Sequence, residues 1–172
     1  LRAELEARGA RFRSDHSDTE VVLQGYALDG ADILDRLNGM FGFAIWDRDR
    51  REIFCARDRL GIKPFYYTTA GGRFAFASEL KALLALPFVP RELDRQSLFH
   101  YMSLQFVPGA RSIVAGIERL PPGHCLTYRL DDGDVQVRRW WRLSFQADAP
   151  RGDDAVNESL RAGIAAAVKR WP

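Results

Sequence analysis

The sequence is short of the features that mark several protein classes. Its 172 residues include only two cysteines and three histidines, and neither type occurs at the spacing of a zinc site. Lys and Arg number 25 against 23 Asp and Glu, so no strongly basic surface for nucleic acid is indicated. No apolar run reaches the length of about 18 residues that a membrane-spanning helix requires. Metal-bound, nucleic-acid-binding and membrane-spanning proteins are therefore disfavoured.

The two cysteines stand inside apolar stretches, at Cys55 and Cys125. A nucleophilic thiol needs an activating base nearby, and the strand-like surroundings of each cysteine favour a core position over catalysis. We interpret both as buried free thiols of a protein in a reducing compartment, the cytoplasm.

What the sequence does have is ample material for a core. Apolar residues make up 47% of the chain and charged residues 28%, which is the profile of a globular protein. Helical spacing alternates with period-two segments bounded by turn residues, and this order predicts antiparallel sheet plus helices, the α+β class. The predicted helices are 1–9, 16–28, 31–37, 78–86 and 93–104, and the predicted strands are 38–47, 52–58, 64–69, 73–78, 124–130 and 135–143.

Local patterns also predict packing and capping. The stretch NGMFGFAIWD, residues 38–47, is nearly all apolar, which is typical of a strand buried on both faces. Val21, Val22, Leu23 and Tyr26 are predicted to form the apolar face of the second helix.

Helix caps are predicted at two later helices. Ser78 and Asp94 each stand just before a helical pattern, where a side-chain oxygen can accept a backbone N–H of the first turn.

The stretch HSDTEVVLQGY raises the question of what Asp18 does. Ser17 or Asp18 can cap the helix that follows, and Ser17 with Glu20 has capping-box spacing. One cap requires only one of these two residues, so the other is free to point elsewhere, and a carboxylate at this position could hold a ligand ammonium. The pattern alone favours capping over ligand binding.

Two further short patterns carry weaker signals. Ser78 and Lys81 match the Ser-x-x-Lys arrangement of some serine acyl-enzymes, but the rest of that constellation is absent. Arg57, Asp58 and Arg59 crowd a strand exit, where mutual pairing is favoured over an anion-binding loop.

Several long blocks, in order, carry a resemblance. HSDTEVVLQGY, LNGMFGFAIWDRDRREIFCARDRLGIKPFYY, FAFASELKALL and GIERLPPGHCLTY resemble the glutamine amidotransferase domain of B-type, glutamine-hydrolysing asparagine synthetases. The similarity covers residues 1–143. Residues 144–153 are polar and are interpreted as a linker, and the amphipathic segment 154–172 resembles the start of the ATP-dependent synthetase domain.

The resemblance implies the four-layer αββα sandwich of the N-terminal-nucleophile hydrolases. Because Leu1 is not methionine and falls within a helical pattern, we expect the sequence to be a fragment that lacks the first strands of this fold. Such a loss would leave unpaired sheet edges that are prone to association.

The resemblance also implies a chemistry. In the family, an N-terminal cysteine attacks the glutamine side-chain amide with its own α-amino group as base, an Asn-Gly pair forms the oxyanion hole and an arginine binds the substrate carboxylate. Only the aspartate that binds the glutamine α-ammonium has a counterpart here, at Asp18. The other groups belong before Leu1, and the Asn38–Gly39 pair is not assigned to the oxyanion hole. We therefore expect no catalytic residue and no metal ligand in this chain, and no activity of the isolated fragment.

The implied partners follow from the family. L-glutamine is the expected substrate, and its ammonia passes through a tunnel to L-aspartate that ATP and Mg²⁺ activate in the synthetase domain. No cofactor is expected on this fragment, nor nucleic acid or membrane, and a homodimer is compatible with the family. Two alternatives stay open: a related amidotransferase with another acceptor, and a non-catalytic binding module.

Overall fold

A computed structural model describes residues 1–145 and 152–170. The chain divides into two units, Leu1–Arg142 and Leu143–Pro172. The helices of the first unit are α1 (Arg2–Ala7), α2 (Asp18–Asp29), α3 (Ile33–Arg36), α4 (Leu80–Leu84) and α5 (Arg95–Leu104). Its strands are β1 (Gly42–Asp47), β2 (Glu52–Arg57), β3 (Tyr66–Thr68), β4 (Ala75–Ala77), β5 (Glu118–Arg119), β6 (His124–Arg129) and β7 (Val135–Arg139). The second unit contains α6 (Asp153–Arg170).

The strands of the first unit form two antiparallel sheets. One has the order β1-β2-β6-β7 and the other has the order β4-β3-β5. In the larger sheet, Cys55 of β2 lies opposite Ala44 on one side and Leu126 on the other. The predicted hairpins are thus present, and the two-residue strand β5 is an addition that its polar sequence, Glu118–Arg119, did not indicate.

Three apolar clusters separate the layers. The first joins α2 and α3 to one face of the larger sheet and includes Tyr26, Leu34 and Phe54. The second lies between the two sheets, and the third packs α4 against the smaller sheet. Because neighbouring side chains of a strand point to opposite faces, Phe54 enters the first cluster and Cys55 the second. The order of layers is helix, sheet, sheet, helix, and it agrees with the predicted αββα sandwich.

The prediction that β1 is buried on both faces is wrong. Only Ile45 of this strand is buried, and Trp46 is about half exposed. Among the described residues β1 pairs with β2 alone and is an edge strand, so one of its sides has no neighbour. The strand that is covered on both faces is β2, which contributes Phe54, Cys55 and Ala56 to the core.

The predicted cap of α2 is confirmed in one half only. Ser17 Oγ accepts the backbone N–H of Glu20 at 3.2 Å. The Glu20 carboxylate does not return to Ser17, since it accepts the N–H groups of Arg13 and Ser14 at 2.6 and 3.0 Å. It holds the preceding loop against the helix, which is a different use of the same sequence spacing.

The two other predicted caps have opposite outcomes. Asp94 Oδ1 accepts the N–H of Ser97 at 2.7 Å, which confirms it as the cap of α5. The Ser78 cap is wrong, because α4 begins at Leu80 and its N-cap position is Glu79, without a side-chain hydrogen bond. The helix begins two residues after Ser78 and not directly after it.

The second unit consists of α6 and the residues before it. Val156, Leu160, Ile164 and Val168 recur at helical spacing as predicted, and all four are exposed. Most of the predicted linker, residues 146–151, lies outside the described residues, as does Trp171 of the predicted helix. None of the described helices is both long enough and apolar enough to cross a bilayer.

Candidate functional site

An open groove of about 830 Å³ runs along β1, between that strand and the start of α2. Its wall on the helix side is made by Asp18, Thr19, Val22 and Leu23. The opposite wall is residues 37–46, and Lys63, Pro64 and Ser78 complete the lining. Asp18 and Lys63 are the only charged side chains among the described residues that line the groove. The groove therefore offers one carboxylate and one ammonium over an otherwise apolar and uncharged surface.

Asp18 is placed at the groove by the helix that it begins. It is the first residue of α2, and Ser17 already supplies the cap. Asp18 is exposed, and its Oδ1 accepts only local hydrogen bonds, from the N–H of Thr19 at 2.7 Å and from the Thr19 hydroxyl at 3.4 Å. The sequence pattern left both residues as candidates for the cap. In the structure, Ser17 is the cap, and the Asp18 carboxylate is left at the groove.

The packing of α2 brings its first turn to this position. Gly25 faces Ile33, and a Cβ on Gly25 would lie 2.7 Å from Ile33 Cγ1, so only glycine allows the close contact between the helices. Tyr26 is buried and stacks on Phe54 with ring centroids 4.9 Å apart. Leu23, predicted to belong to the buried face, is instead about half exposed and lines the groove. The apolar face is thus narrower than the sequence indicated.

The loop after β2 is organised by a buried carboxylate. Asp58 is 1% exposed, and its two oxygens accept the backbone N–H groups of Leu60, Ile62 and Lys63 at 2.9 to 3.2 Å. Its Oδ2 also accepts the N–H of Phe41 at 3.3 Å. One side chain therefore joins the loop that carries Lys63 to the residue that leads into β1.

The two arginines that flank Asp58 bind carbonyl groups. Arg57 donates to the carbonyls of Lys63, Leu120 and Gly61 at 2.6 to 2.7 Å, and burial lowers the pKa of its guanidinium. Arg59 donates to the carbonyl of Leu37 at 2.6 Å and to that of Asp35 at 3.2 Å.

The expectation that Arg57, Asp58 and Arg59 pair with one another is therefore wrong. Each of the three binds backbone groups, which cannot find partners elsewhere once they are withdrawn from water. No hydrogen bond or salt bridge joins any two of them. With its charges committed in this way, the loop is not an anion site of free arginines.

The thiols are core groups, as predicted. Cys55 is fully buried, and burial raises the pKa of its thiol to about 12. Cys125 is buried as well, and burial raises its pKa too. Both are free, and neither lines the groove. A thiol with so high a pKa is protonated at neutral pH and is a poor nucleophile.

Ser78 lines the groove, but it has no activating lysine. The Lys81 ammonium lies 2.9 Å from the Glu79 carboxylate and is 84% exposed. The geometry gives no support to a Ser-x-x-Lys hydrolase, in which the lysine must reach the serine hydroxyl.

The remaining candidates are placed as follows. Asn38 and Gly39 line the groove beside β1. Within the part of the chain that the structure describes, no group of three or more His, Cys, Asp or Glu side chains is arranged to hold a metal ion.

Sequence reasoning missed two residues of this site. No pattern in the sequence singled out Lys63, and Asp58 was predicted to pair with Arg57 and Arg59. The signal for Asp58 was the Gly61 and Pro64 that follow it, because a tight loop leaves several N–H groups without partners. The signal could not have identified which residue would accept them.

Comparison with known proteins identifies the domain. The family model described as a glutamine amidotransferase domain matches residues 1–141. The chain is 42% identical over 158 residues to glutamine-hydrolysing asparagine synthetase 3 of Bacillus subtilis, and the match covers 91% of this chain and 25% of that protein. A putative glutamine-hydrolysing asparagine synthetase of Mycobacterium tuberculosis is 40% identical over 90% of this chain and 24% of its own length. The chain thus spans about a quarter of the length of the curated relatives it matches.

A more distant relative and a solved structure extend the comparison. Amidase chyE of Penicillium rubens is 30% identical over 89% of this chain and 22% of that protein. The structure of glutamine phosphoribosylpyrophosphate amidotransferase of B. subtilis, complexed with ADP and GMP, matches with a TM-score of 0.53 and 21% identity, over 81% of this chain and 26% of that one. This likeness concerns the fold, which is that of the N-terminal-nucleophile hydrolases. On the family match over residues 1–141, the chain belongs to the glutamine amidotransferase domain family.

Proposed function

We propose that this chain is part of a glutamine-dependent asparagine synthetase, that its groove along β1 belongs to the glutamine site, and that Asp18 binds the α-ammonium of glutamine. The observation that supports this most directly is the exposed Asp18 carboxylate at the groove, next to a serine that already caps the helix. A carboxylate that is not needed by the fold is available to a ligand.

The charge of the groove suits an amino acid. A free amino acid carries one ammonium and one carboxylate, and a carboxylate–ammonium contact is a charge-assisted hydrogen bond, stronger than a neutral one. Lys63 gives the same groove a positive charge. By the family resemblance, the direct partner of the substrate carboxylate is an arginine that precedes Leu1. The positive charge of Lys63 adds a favourable electrostatic interaction with the same carboxylate.

The reaction requires groups that this chain does not supply. By the resemblance, a cysteine thiolate attacks the side-chain carbonyl carbon of glutamine, the C–N bond breaks and ammonia leaves with a proton from the α-amino group. Water then hydrolyses the thioester to glutamate. In the proposed complete enzyme the ammonia is channelled to aspartate that ATP and Mg²⁺ activate, which yields asparagine. The role of this chain is to bind and orient glutamine through Asp18.

The domain assignment is part of the proposal. Residues 1–143 form the later part of the amidotransferase domain, 144–153 the linker and 154–172 the start of the synthetase domain. The second structural unit begins at Leu143, which supports the boundary between the first domain and the linker. Residues 146–151 of the linker lie outside the described residues. The exposed edge of β1 fits the expected absence of strands that would pair with it.

The test is an Asp18→Asn variant of the complete enzyme, assayed with glutamine and with free ammonia. The amide cannot offer a full negative charge to the ammonium, so the KM for glutamine should rise by roughly ten- to a hundredfold, as a lost charge-assisted contact of about 1.5 to 3 kcal/mol implies. Synthesis from ammonia should keep the wild-type rate, because it does not use the glutamine site.

A matched control separates a local effect from a general one. Asp15 is also exposed and lies three residues earlier, but it does not line the groove. Asp15→Asn should leave both activities unchanged. An unchanged KM for glutamine in Asp18→Asn would contradict the proposed role of Asp18.

The inactivity of this chain alone has its own test. A glutaminase assay of the purified 172-residue chain should show no turnover above a blank, because the expected nucleophile is absent from it. The coding sequence before Leu1 should continue in frame and open with Met-Cys. Turnover by the chain alone would refute this part of the proposal, and a stop codon directly upstream would favour a non-catalytic binding module.

A further inference from the structure

Part of the groove wall is a strip of chain without regular structure, residues 37–41, which joins α3 to β1. We call it the groove strip. Its three middle residues, Asn38, Gly39 and Met40, are exposed and make no hydrogen bond with any described residue. Nothing lies within 4 Å of the position that a Cβ on Gly39 would take. The middle of the groove strip has few contacts of its own, so its position depends on how the two ends are held.

The end of the groove strip nearer β1 is held by Asp58. Its Oδ2 accepts the N–H of Phe41 at 3.3 Å, and its own backbone N–H donates to the Phe41 carbonyl at 2.9 Å. Because Asp58 is buried in the loop after β2, this end of the strip is joined to the interior of the domain.

The end nearer α3 is held by the next residue, Arg59. Its guanidinium donates to the carbonyl of Leu37 at 2.6 Å and to that of Asp35 at 3.2 Å. The last carbonyls of a helix lack partners within it, and a cation is favourable there. Arg59 Cζ also lies 5.3 Å from the ring centroid of Trp140, which stacks on Phe41 with centroids 6.2 Å apart. Arg59 is thus connected to both ends of the groove strip, directly at Leu37 and through Trp140 at Phe41.

Arg59 itself does not line the groove. Its donors are used on backbone carbonyls, so it can affect a ligand only through the groove strip. The strip stands on the wall opposite Asp18 and the first turn of α2. Its position therefore helps to set the width of the groove at the point where the Asp18 carboxylate is presented.

We propose that Arg59 is a positioning residue for glutamine binding, which keeps the groove strip at the distance from Asp18 that glutamine requires by holding the Leu37 carbonyl. The proposal rests on the proposed function, since it takes the groove as the glutamine site. It adds a residue that neither touches the substrate nor lies in the groove.

Arg59→Ala in the complete enzyme tests the proposal. The KM for glutamine should rise about tenfold, because a displacement of about 1 Å in a binding group is enough for an effect of this size. The kcat with glutamine should stay within about twofold and the rate with free ammonia should not change, as expected for a loss of binding alone. A purely structural role gives the reverse pattern, since partial unfolding lowers both rates and leaves the KM unchanged. That pattern would overturn the proposal.

Two further variants of Arg59 separate the hydrogen bond from the packing. Arg59→Lys keeps a donor for the Leu37 carbonyl and should bring the KM back to within about threefold of the wild type. Arg59→Met keeps an apolar stem over Trp140 but has no donor, and it should behave as Arg59→Ala does. Recovery of the KM in Arg59→Met and not in Arg59→Lys would show that packing matters and the carbonyl contact does not, which would contradict the proposal.

Arg91 offers a matched control, because it makes the same kind of contact elsewhere. It donates to the carbonyl of Leu84, the last residue of α4, at 3.2 Å, and it does not line the groove. Arg91→Ala should leave the KM for glutamine unchanged. A rise equal to that of Arg59→Ala would mean that any loosened helix end has this effect, and the specific role of Arg59 would be lost.

Asp18→Asn, assayed beside Arg59→Ala, separates this inference from the proposed function. A higher KM in both variants supports both. If Asp18→Asn raises the KM and Arg59→Ala does not, the groove binds glutamine but Arg59 does not position it, and this inference alone is wrong. If neither variant changes the KM, the groove is not the glutamine site and the two proposals fail together.

Discussion

Two aspartates of the same domain have opposite surroundings. Asp58 is buried and accepts four backbone N–H groups, from Leu60, Ile62, Lys63 and Phe41. Asp18 is exposed and accepts hydrogen bonds only from Thr19. The first carboxylate is committed to the fold, whereas the second is available to a ligand. The comparison indicates that a charged residue is a candidate for ligand binding when another residue already makes the structural contact that it could have made. Ser17 does this for Asp18 by capping the helix.

The two regions are also connected. Lys63, which shares the groove with Asp18, is held in place by the carboxylate of Asp58. The Asp58 loop therefore shapes one wall of the groove whose other wall carries Asp18. Stability and binding can be separated by substitution at each end of this arrangement.

The largest expected effect is that of Asp58→Ala on stability. The substitution leaves four N–H groups without their acceptor in a buried position, which should lower the free energy of unfolding by about 3 kcal/mol. Urea denaturation of the 172-residue chain, followed by tryptophan fluorescence, measures the change. Asp58→Asn keeps one oxygen acceptor and should lose less. A loss below about 1 kcal/mol in Asp58→Ala would remove the contrast between the two aspartates.

The residue patterns predicted the hairpins of the fold better than the environment of each strand. The turn residues marked the hairpins, because Gly can adopt the positive φ that a tight turn requires and the ring of Pro fixes a φ that suits a turn. The edge position of β1 could not be foreseen from NGMFGFAIWD, since an apolar strand has the same pattern whether or not a neighbour pairs with it. The pairing partner is a property of the sheet and not of the strand.

The site was predicted in part for a related reason. The helix start at residues 17 and 18 is a local pattern, and Ser17 behaves as that pattern indicates. The placement of Lys63 and of Ser78 at the same groove depends on contacts between segments far apart in the chain, which local spacing does not contain. The role of Asp18 in binding glutamine stays a prediction.

A smaller loss of stability is expected from Ser17→Ala. Its hydroxyl accepts the N–H of Glu20, and the loss of an N-cap side chain costs about 1 kcal/mol. Ser17→Thr retains the oxygen and should restore most of the stability in the same denaturation experiment. If Ser17→Ala is neutral while Asp18→Ala costs about 1 kcal/mol, Asp18 is the cap and the comparison between Asp18 and Asp58 is lost.

A third aspartate, Asp29, is expected to affect stability less than Asp58 and more than Asp18, and its effect should depend on pH. Asp29 binds Arg8 at 2.9 Å and Arg36 at 3.0 Å, and the hydrogen bond from Arg8, followed by that from Arg36, lowers its pKa from 3.8 to about 2. Because the pKa of Asp29 is lowered in the folded state, the contribution of its ionised carboxylate to stability is complete above pH 3.8 and is lost as the pH falls towards 2.

The measurement compares the wild type with Asp29→Asn. Thermal denaturation should show a modest stability difference at pH 6, since the pairs lie at the surface. The difference should shrink between pH 4 and pH 2, where the wild-type carboxylate takes up a proton. A difference that is constant over this range would show that Asp29 acts by packing and not by charge.

The smallest expected effect on stability is that of Asp18→Asn. The carboxylate accepts hydrogen bonds only from Thr19, and an amide oxygen can accept the same bonds, so the free energy of unfolding should change by less than about 0.5 kcal/mol. Denaturation of the 172-residue chain measures this, beside the glutamine kinetics of the complete enzyme. A variant that binds glutamine poorly but unfolds like the wild type places the carboxylate in binding alone. A variant that loses stability as Ser17→Ala does would instead assign Asp18 to the helix, and a change in the KM for glutamine would then have a structural cause.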